Sequence, residues 1–251
     1  MTTTTWVNAM DEQTQITTTD GAMTALVARP TSETRGAVVV VMEAFGLNAH
    51  IADVAARFAA EGYAALAPDL YHRQGALRVA AYDDLPEAMG LFSSLDTASL
   101  GDDLAATVAA ARELASGGPV AVVGFCLGGY AAVLAGIRSS PDVVAGFYGA
   151  GMSMPRDGSP LEPLAAGFRE IGCPVYLFYG ADDPVIPPDE IAATEAALTA
   201  AGVTHEVTVY PGAGHGFFCD ARTSYTPEAA ADAWAKVLAA LAAAKPAEAT
   251  A

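Results

Sequence analysis

Positive charge is scarce in this sequence, and long uninterrupted apolar runs are absent. Only 12 of the 251 residues are lysine or arginine, against 29 aspartates and glutamates, which gives a formal net charge of −17. Nucleic acid and anionic membranes are therefore poor partners for this chain. No stretch approaches the roughly 18 apolar residues of a membrane span, and residues 1–15 lack the basic and apolar segments of a signal peptide. These absences predict a soluble cytoplasmic protein.

Cysteine is also rare. The three cysteines, at positions 126, 173 and 219, form no Cys-x-x-Cys pair and cannot all be bridged, which is typical of a reducing compartment. No cluster with metal-ligand spacing and no phosphate-binding loop is visible, so we expect neither a metal nor a cofactor. Apolar residues are abundant instead, at 53% of the chain. This content is enough for one domain with a large core.

β-branched runs alternate with helical patterns along most of the chain, which predicts an α/β fold with a mostly parallel central sheet and helices on both faces. An Asp-Gly pair at 20–21 between two strand-like runs predicts an N-terminal hairpin. Further strands are predicted over residues 36–42, 63–67, 120–123, 143–148, 174–179 and 206–210, and helices over 51–61, 85–95, 101–115, 188–201 and 227–244. We expect a single domain over 13–244, a loose segment over 1–12 and a flexible tail over 245–251.

Residues 121–129, AVVGFCLGG, contain the most specific motif. A strand pattern leads into Gly124, Cys126 and Gly128, and an alanine-rich helix pattern follows. This is the G-x-S-x-G nucleophile elbow with sulfur in place of oxygen. Both glycines are required because side chains would collide across so sharp a turn. The thiol comes to the positive end of the next helix, which favours a thiolate. The alternative is that Cys126 is a buried packing residue.

A cysteine nucleophile requires a base, and the chain offers four histidines. His215 is favoured because it follows a strand and is flanked by glycines that leave space for a substrate. His50 opens a helix, His72 stands in a polar stretch, and His205 begins a strand pattern.

The acid that orients the base is predicted to be Asp183, which follows another strand and precedes a proline and an apolar run. Asp182 is expected to cap the turn instead, and Asp69 is a competitor that precedes the cysteine. The order Cys126, Asp183, His215 follows the nucleophile–acid–histidine order of α/β-hydrolases. Each member follows a strand, so all three are expected at the carboxyl edge of the sheet.

The chain resembles the dienelactone hydrolase (carboxymethylenebutenolidase) family of α/β-hydrolases over residues 13–243. The segments that carry the resemblance are MEAFGLN (42–48), EGYAALAPDLYHR (61–73), VVGFCLGG (122–129), FYGAG (147–151), GADDPVIP (180–187) and GAGHGFF (212–218). The resemblance implies the α/β-hydrolase fold, with Cys126 as nucleophile, His215 as base and Asp183 as its partner. It also implies that Glu43 faces the resting thiol and helps to generate the thiolate when substrate enters.

Glu43 has an alternative interpretation from its position alone. A carboxylate at the end of an apolar strand is costly unless it is paired or protonated, so it could instead point to solvent from the loop. The predicted oxyanion hole consists of the backbone N–H groups of Leu127 and Ala44, the residues after the nucleophile and after the first core strand.

The sequence departs from the family at the substrate-binding arginine. Family members that act on dienelactone have an arginine four residues after the histidine, where this chain has Cys219. Arg222 lies three residues further on, and the irregular region after the third predicted strand offers Arg73 and Arg78. Side chains that could form apolar pocket walls, or equally belong to the core, are Tyr82, Phe217 and Phe218.

The sequence thus predicts a hydrolase of small-molecule esters or lactones that works through a Cys-His-Asp triad and an acyl-thioester. We expect a monomer or a small homo-oligomer. Two alternatives are a thioesterase or acyltransferase on the same triad, and a non-catalytic redox-sensing or binding module in which Cys126 is the oxidisable thiol.

Overall fold

The structure is a computed structural model that describes residues 12–245. The predicted loose segment and tail fall outside this range, except that Glu12 already begins a strand and Lys245 follows the last helix. Within the range, eight strands form one sheet. They are β1 (Glu12–Thr18), β2 (Gly21–Ala28), β3 (Ala37–Val41), β4 (Ala64–Pro68), β5 (Val120–Phe125), β6 (Val143–Phe147), β7 (Val175–Gly180) and β8 (His205–Tyr210).

The strand order across the sheet is β1-β2-β4-β3-β5-β6-β7-β8. The β1–β2 hairpin and the β2–β4 pair are antiparallel, and every other neighbouring pair is parallel. All residues of β3, β4, β5 and β6 are buried, so both faces of the central sheet are covered. The predicted mostly parallel α/β architecture with an N-terminal hairpin is confirmed.

Six α-helices lie between or after the strands in this part of the chain. They are α1 (Ala49–Ala60), α2 (Leu85–Phe92), α3 (Thr97–Leu114), α4 (Leu127–Arg138), α5 (Pro188–Ala201) and α6 (Pro227–Ala243). Helix α3 packs on α4, and Phe58 of α1 stacks on Trp234 of α6 with ring centroids 4.4 Å apart. No helix of residues 12–245 combines the length and the apolarity that a bilayer crossing demands.

Polar caps move the helix starts away from the predicted positions. The Asn48 side chain accepts a hydrogen bond from the Ile51 N–H, so α1 begins two residues early. Asp96 does the same for α3, which begins four residues before the predicted start. Such caps satisfy N–H groups that have no partner within the helix. The hairpin turn is also displaced by one residue, because Thr18 pairs with Gly21 across it.

The elbow brings β5 and α4 closer together than any side chain would allow. A Cβ on Gly124 would lie 1.9 Å from the Gly128 carbonyl oxygen, and a Cβ on Gly128 would lie 2.3 Å from the Val41 oxygen. Both contacts are with backbone atoms that cannot move aside. The sequence-based argument for two glycines around Cys126 is therefore confirmed.

We predict that Gly124→Ala lowers the free energy of unfolding by about 3 kcal/mol or more, because the new methyl group collides with the elbow backbone. Gly90 of α2 is the matched control, since a Cβ there meets nothing within 4 Å. Gly90→Ala should raise the free energy of unfolding by up to about 1 kcal/mol. Urea unfolding measures both changes. Equal stability of the two variants would contradict the steric account.

Candidate active site

Cys126 lies at the tip of the elbow in a strained conformation. Its φ is 54° and its ψ is −112°, and a positive φ is uncommon for a residue with a side chain. Its N–H donates to the Phe147 carbonyl 3.0 Å away, which ties the turn to the neighbouring strand. The side chain is half-buried, and Sγ lies 3.3 Å from His215 Nε2. The elbow thus presents the thiol to an imidazole from much later in the chain.

Asp183 forms a hydrogen bond with the other ring nitrogen of His215. Its Oδ2 lies 2.8 Å from His215 Nδ1, and its Oδ1 accepts the N–H groups of Val185 and Ile186 at 2.7 and 3.3 Å. Asp183 is buried, whereas Asp182 is exposed. The three predicted catalytic side chains therefore form one continuous hydrogen-bonded chain.

The other histidines lie in different environments. His72 bonds to Asp103 at 3.2 Å, and His205 Nδ1 bonds to the Val203 carbonyl at 2.8 Å. His50 is buried between the rings of Phe125 and Phe218. Among the residues that the structure describes, the imidazole bonded to Cys126 is that of His215.

The charges of this chain set the protonation of His215. Burial alone lowers the pKa of His215, but the negative charge of the Cys126 thiolate and the hydrogen bond with Asp183 outweigh it and raise the pKa from 6.5 to about 10. The raised pKa favours the imidazolium form of His215 at neutral pH. Because folding raises this pKa, the stability contributed by protonated His215 is complete below pH 6.5 and is lost as the pH rises through about 10.

Glu43 ends strand β3 with a carboxylate that is completely buried. Its Oε1 pairs with Arg222 Nη1 at 3.2 Å, and its Oε2 accepts the Tyr82 hydroxyl at 2.9 Å. This burial excludes the alternative in which Glu43 points to solvent. Its hydrogen bonds go to Arg222 and Tyr82, and the expectation that it faces the resting thiol stays a prediction.

Tyr82 connects Glu43 to Cys219. Its hydroxyl also lies 3.2 Å from Cys219 Sγ and accepts Asn48 Nδ2 at 3.1 Å. Burial, aided by the charge of Glu43, raises the pKa of Tyr82 far above 10, so the phenol stays neutral. Cys219 is fully buried. The position where the resemblance implied a substrate-binding arginine is thus a buried thiol.

The structure places none of the four predicted substrate-binding residues, Arg78, Tyr82, Phe217 and Arg222, in the wall of the cavity beside Cys126. Arg78 is half-exposed and pairs with Glu87 at 2.6 Å, so its guanidinium is directed to a surface partner. Phe217 has no exposed surface and packs against Tyr148 and Tyr210, with ring centroids 5.4 and 5.3 Å away. Phe217 is a core residue, and neither side chain lines the cavity beside Cys126.

That cavity has a volume of about 280 Å³. Cys126, His215, Leu127 and Ala44 all line it, and the Tyr71 hydroxyl holds the Ala44 carbonyl at 2.9 Å. The remaining side chains of its wall are mostly apolar and come from α2, α4 and the loops after β6 and β7: Met89, Phe92, Tyr130, Leu161, Val185, Arg156, Asp157 and Ser159. A larger cavity, of about 520 Å³, lies between the ends of α4 and α6 and contains none of the predicted catalytic residues.

Sequence reasoning missed Tyr148, at the end of β6. Its φ is 40°, its ring centroid lies 5.1 Å from that of His215, and its buried hydroxyl has no hydrogen-bond partner in residues 12–245. A polar atom left unpaired in a core is costly, which marks this position as strained. The motif FYGAG contained the residue, but nothing in its pattern indicated the contact with His215.

Two clusters outside the triad have metal-ligating side chains. His50, Cys219 and Asp220 offer ligand atoms within 4.8 Å of one another, as do Asp20, His72 and Asp103. In the second cluster Arg73 already binds both aspartates at 2.6 Å. In the first, burial raises the pKa of the Cys219 thiol, which disfavours the thiolate that a metal requires.

Residues 23–245 match the sequence profile of the "Dienelactone hydrolase family". The chain belongs to this family. It is therefore a hydrolase with the α/β-hydrolase fold, as the sequence predicted. A Synechocystis sp. protein named "Putative carboxymethylenebutenolidase" is 41% identical over 204 residues, which cover 80% of this chain and 82% of that protein.

Other family members are similar over most of their length. The "Carboxymethylenebutenolidase" of Pseudomonas putida is 32% identical over 212 residues, 82% of this chain and 85% of that protein. The crystal structure of a "Putative Dienelactone Hydrolase" from Klebsiella pneumoniae superposes with a TM-score of 0.81 at 33% identity. That match covers 92% of this chain and 98% of the other, so the family architecture extends over nearly the whole chain.

We predict that Cys126→Ala lowers the pKa of His215, because it removes the thiolate charge while burial still favours the neutral ring. NMR titration of the ring Cε1–H signals measures this value. Cys173→Ala, which removes a buried thiol far from the site, is the control and should leave the His215 curve unchanged. The same His215 pKa in the Cys126→Ala variant and the parent would exclude the thiolate–imidazolium pair.

We predict that Arg222→Met lowers the free energy of unfolding by about 3 kcal/mol, because it leaves the buried Glu43 charge unpaired. Adding Glu43→Gln should recover part of that loss, since the amide still bonds to Tyr82. Arg29→Met is the control: it breaks an exposed pair with Glu12 and should cost no more than about 1 kcal/mol. Denaturant unfolding measures all three. Equal decreases in the free energy of unfolding for Arg222→Met and Arg29→Met would show that the pair of Glu43 with Arg222 does not stabilise the fold more than an exposed pair does.

Proposed function

We propose that this chain hydrolyses small-molecule esters or lactones through an acyl-thioester on Cys126. The observation that carries the proposal is the hydrogen-bonded chain from Cys126 Sγ through His215 to Asp183, with distances of 3.3 and 2.8 Å. This is the arrangement of nucleophile, base and orienting acid that acyl transfer requires. The strained elbow and the adjoining cavity support the same chemistry.

In the acylation step, the Cys126 thiolate attacks the carbonyl carbon of the substrate and forms a C–S bond. The carbonyl oxygen takes up the negative charge, and the N–H groups of Leu127 and Ala44 are the proposed donors that stabilise it. The Leu127 N–H belongs to the first turn of α4, where N–H groups have no intrahelical acceptor. Breaking the C–O bond then releases the alkoxide, which takes the Nε2 proton of His215 and leaves as the alcohol.

In the deacylation step, neutral His215 removes a proton from water as the water oxygen attacks the thioester carbonyl. The C–S bond breaks, the acid leaves, and the thiolate–imidazolium pair is restored. Asp183 stabilises the imidazolium and fixes the ring, while the Ser224 hydroxyl holds the His215 carbonyl at 2.6 Å. His215 therefore acts once as an acid and once as a base in each turnover.

Glu43 is proposed to act on the thiol only when its own contacts change. Its carboxylate is held by Arg222 and Tyr82, so a role in generating the thiolate requires at least one of these bonds to break when substrate enters. We also propose a cytoplasmic enzyme that is a monomer or a small homo-oligomer.

We predict that Cys126→Ala and His215→Ala each lower the turnover of 4-nitrophenyl acetate by about 1,000-fold or more, because the triad acts as a unit. Cys173→Ala is the matched control. Burial raises the pKa of Cys173 to about 12, so that thiol is inert and its loss should leave turnover unchanged. Parent-like turnover in either triad variant would refute the assignment.

A further inference from the structure

We propose that the cavity beside Cys126 selects uncharged, apolar substrates and discriminates against esters that carry a carboxylate. The inference rests on the proposed function, because it names the substrate class of that same site. It follows from the chemistry of the wall and from the partners of every arginine near it.

The apolar part of the wall includes large side chains that are partly exposed to solvent. Met89 and Val185 line the cavity, and they are 43% and 40% exposed. Phe92 and Leu161 belong to the same wall. Covering such surface with a hydrocarbon group is favourable by about 25 cal/mol per Å², so a substrate with an apolar body gains affinity here.

The guanidinium in this wall is already neutralised. Arg156 is the arginine among the described residues that line the cavity, and its Nη1 pairs with Glu190 at 2.7 Å. Its Nη2 donates to the Val185 carbonyl at 2.9 Å. Glu190 is buried and also accepts the Gly151 N–H at 2.5 Å. Arg156 therefore braces the loop after β6, and it is not free to bind a substrate carboxylate.

The neighbouring arginines are paired elsewhere. Arg222 is bound to the buried carboxylate of Glu43 and lies over the rings of Phe45 and Tyr82. Arg78 pairs with Glu87 at the surface. Withdrawing Arg222 from Glu43 would leave a buried charge without a partner, which is strongly unfavourable.

The local charge is negative as a consequence. Asp157 is exposed in the cavity wall next to the neutralised Arg156, and the whole chain carries a net charge of −17. A carboxylate that entered would lose hydration and meet no free cation, so both desolvation and the field oppose it. An uncharged ester meets neither penalty.

The test compares kcat/KM within two matched pairs of esters. The acyl pair is 4-nitrophenyl butyrate against the 4-nitrophenyl monoester of succinic acid, and the leaving-group pair is methyl 4-acetoxybenzoate against 4-acetoxybenzoate. We expect the uncharged member to be favoured by about tenfold or more in each pair. Equal or higher kcat/KM for the carboxylate member of either pair would overturn the inference.

Val185→Arg places an additional cation on the cavity rim. It should lower the ratio of kcat/KM for the uncharged ester to kcat/KM for the carboxylate ester by about tenfold. Val209→Arg is the matched control, because Val209 is 43% exposed on edge strand β8, does not line the cavity and gains the same charge. An equal effect of the two variants would show that the whole-chain field, and not the wall, sets the selectivity.

The failure of this inference is distinguishable from failure of the proposed function. Hydrolysis that survives Cys126→Ala would refute the proposed function. Hydrolysis that depends on Cys126 but favours carboxylate esters would refute only the selectivity.

Discussion

The close approach of two backbones at the elbow is the constraint on which the site depends. The Gly128 carbonyl lies where a Cβ of Gly124 would be, so β5 can turn into α4 within a single residue. That residue, Cys126, takes a positive φ directly after the last residue of β5. Any larger side chain at either glycine would push the helix away and carry the thiol out of reach of His215.

The electrostatics of the site divide into two separately balanced pairs. Cys126 Sγ lies 3.3 Å from Nε2 of His215, and Cys126 and Asp183 together raise the pKa of His215. The carboxylate of Glu43 is balanced by Arg222. Since Glu43 is completely buried, its pairing with Arg222 keeps that carboxylate from being an unpaired charge in the core. Arg156, the arginine among the described residues of the cavity wall, is paired separately with Glu190.

The sequence predicted the parts of this molecule that local chemistry determines. Apolar runs and turn residues predicted the positions of Cys126, Asp183 and His215 after successive strands. They also predicted the glycines of the elbow and the inward direction of the Asp183 side chain. It did not predict Arg78 in an outward ion pair, and it left Phe217 open between the pocket wall and the core. Those placements depend on tertiary packing, as does the cavity wall, because α2 and the loop after β6 meet beside Cys126 only once the sheet has formed.

Covalent capture of the acyl group tests the central claim most directly. The parent chain is mixed with a 4-nitrophenyl ester, quenched with acid within milliseconds, and analysed by intact-mass and peptide mass spectrometry. The account predicts a mass increase of one acyl group on the peptide that contains Cys126, formed at the rate of the nitrophenolate burst. Turnover without this adduct, or an acyl group on a different residue, would contradict the account.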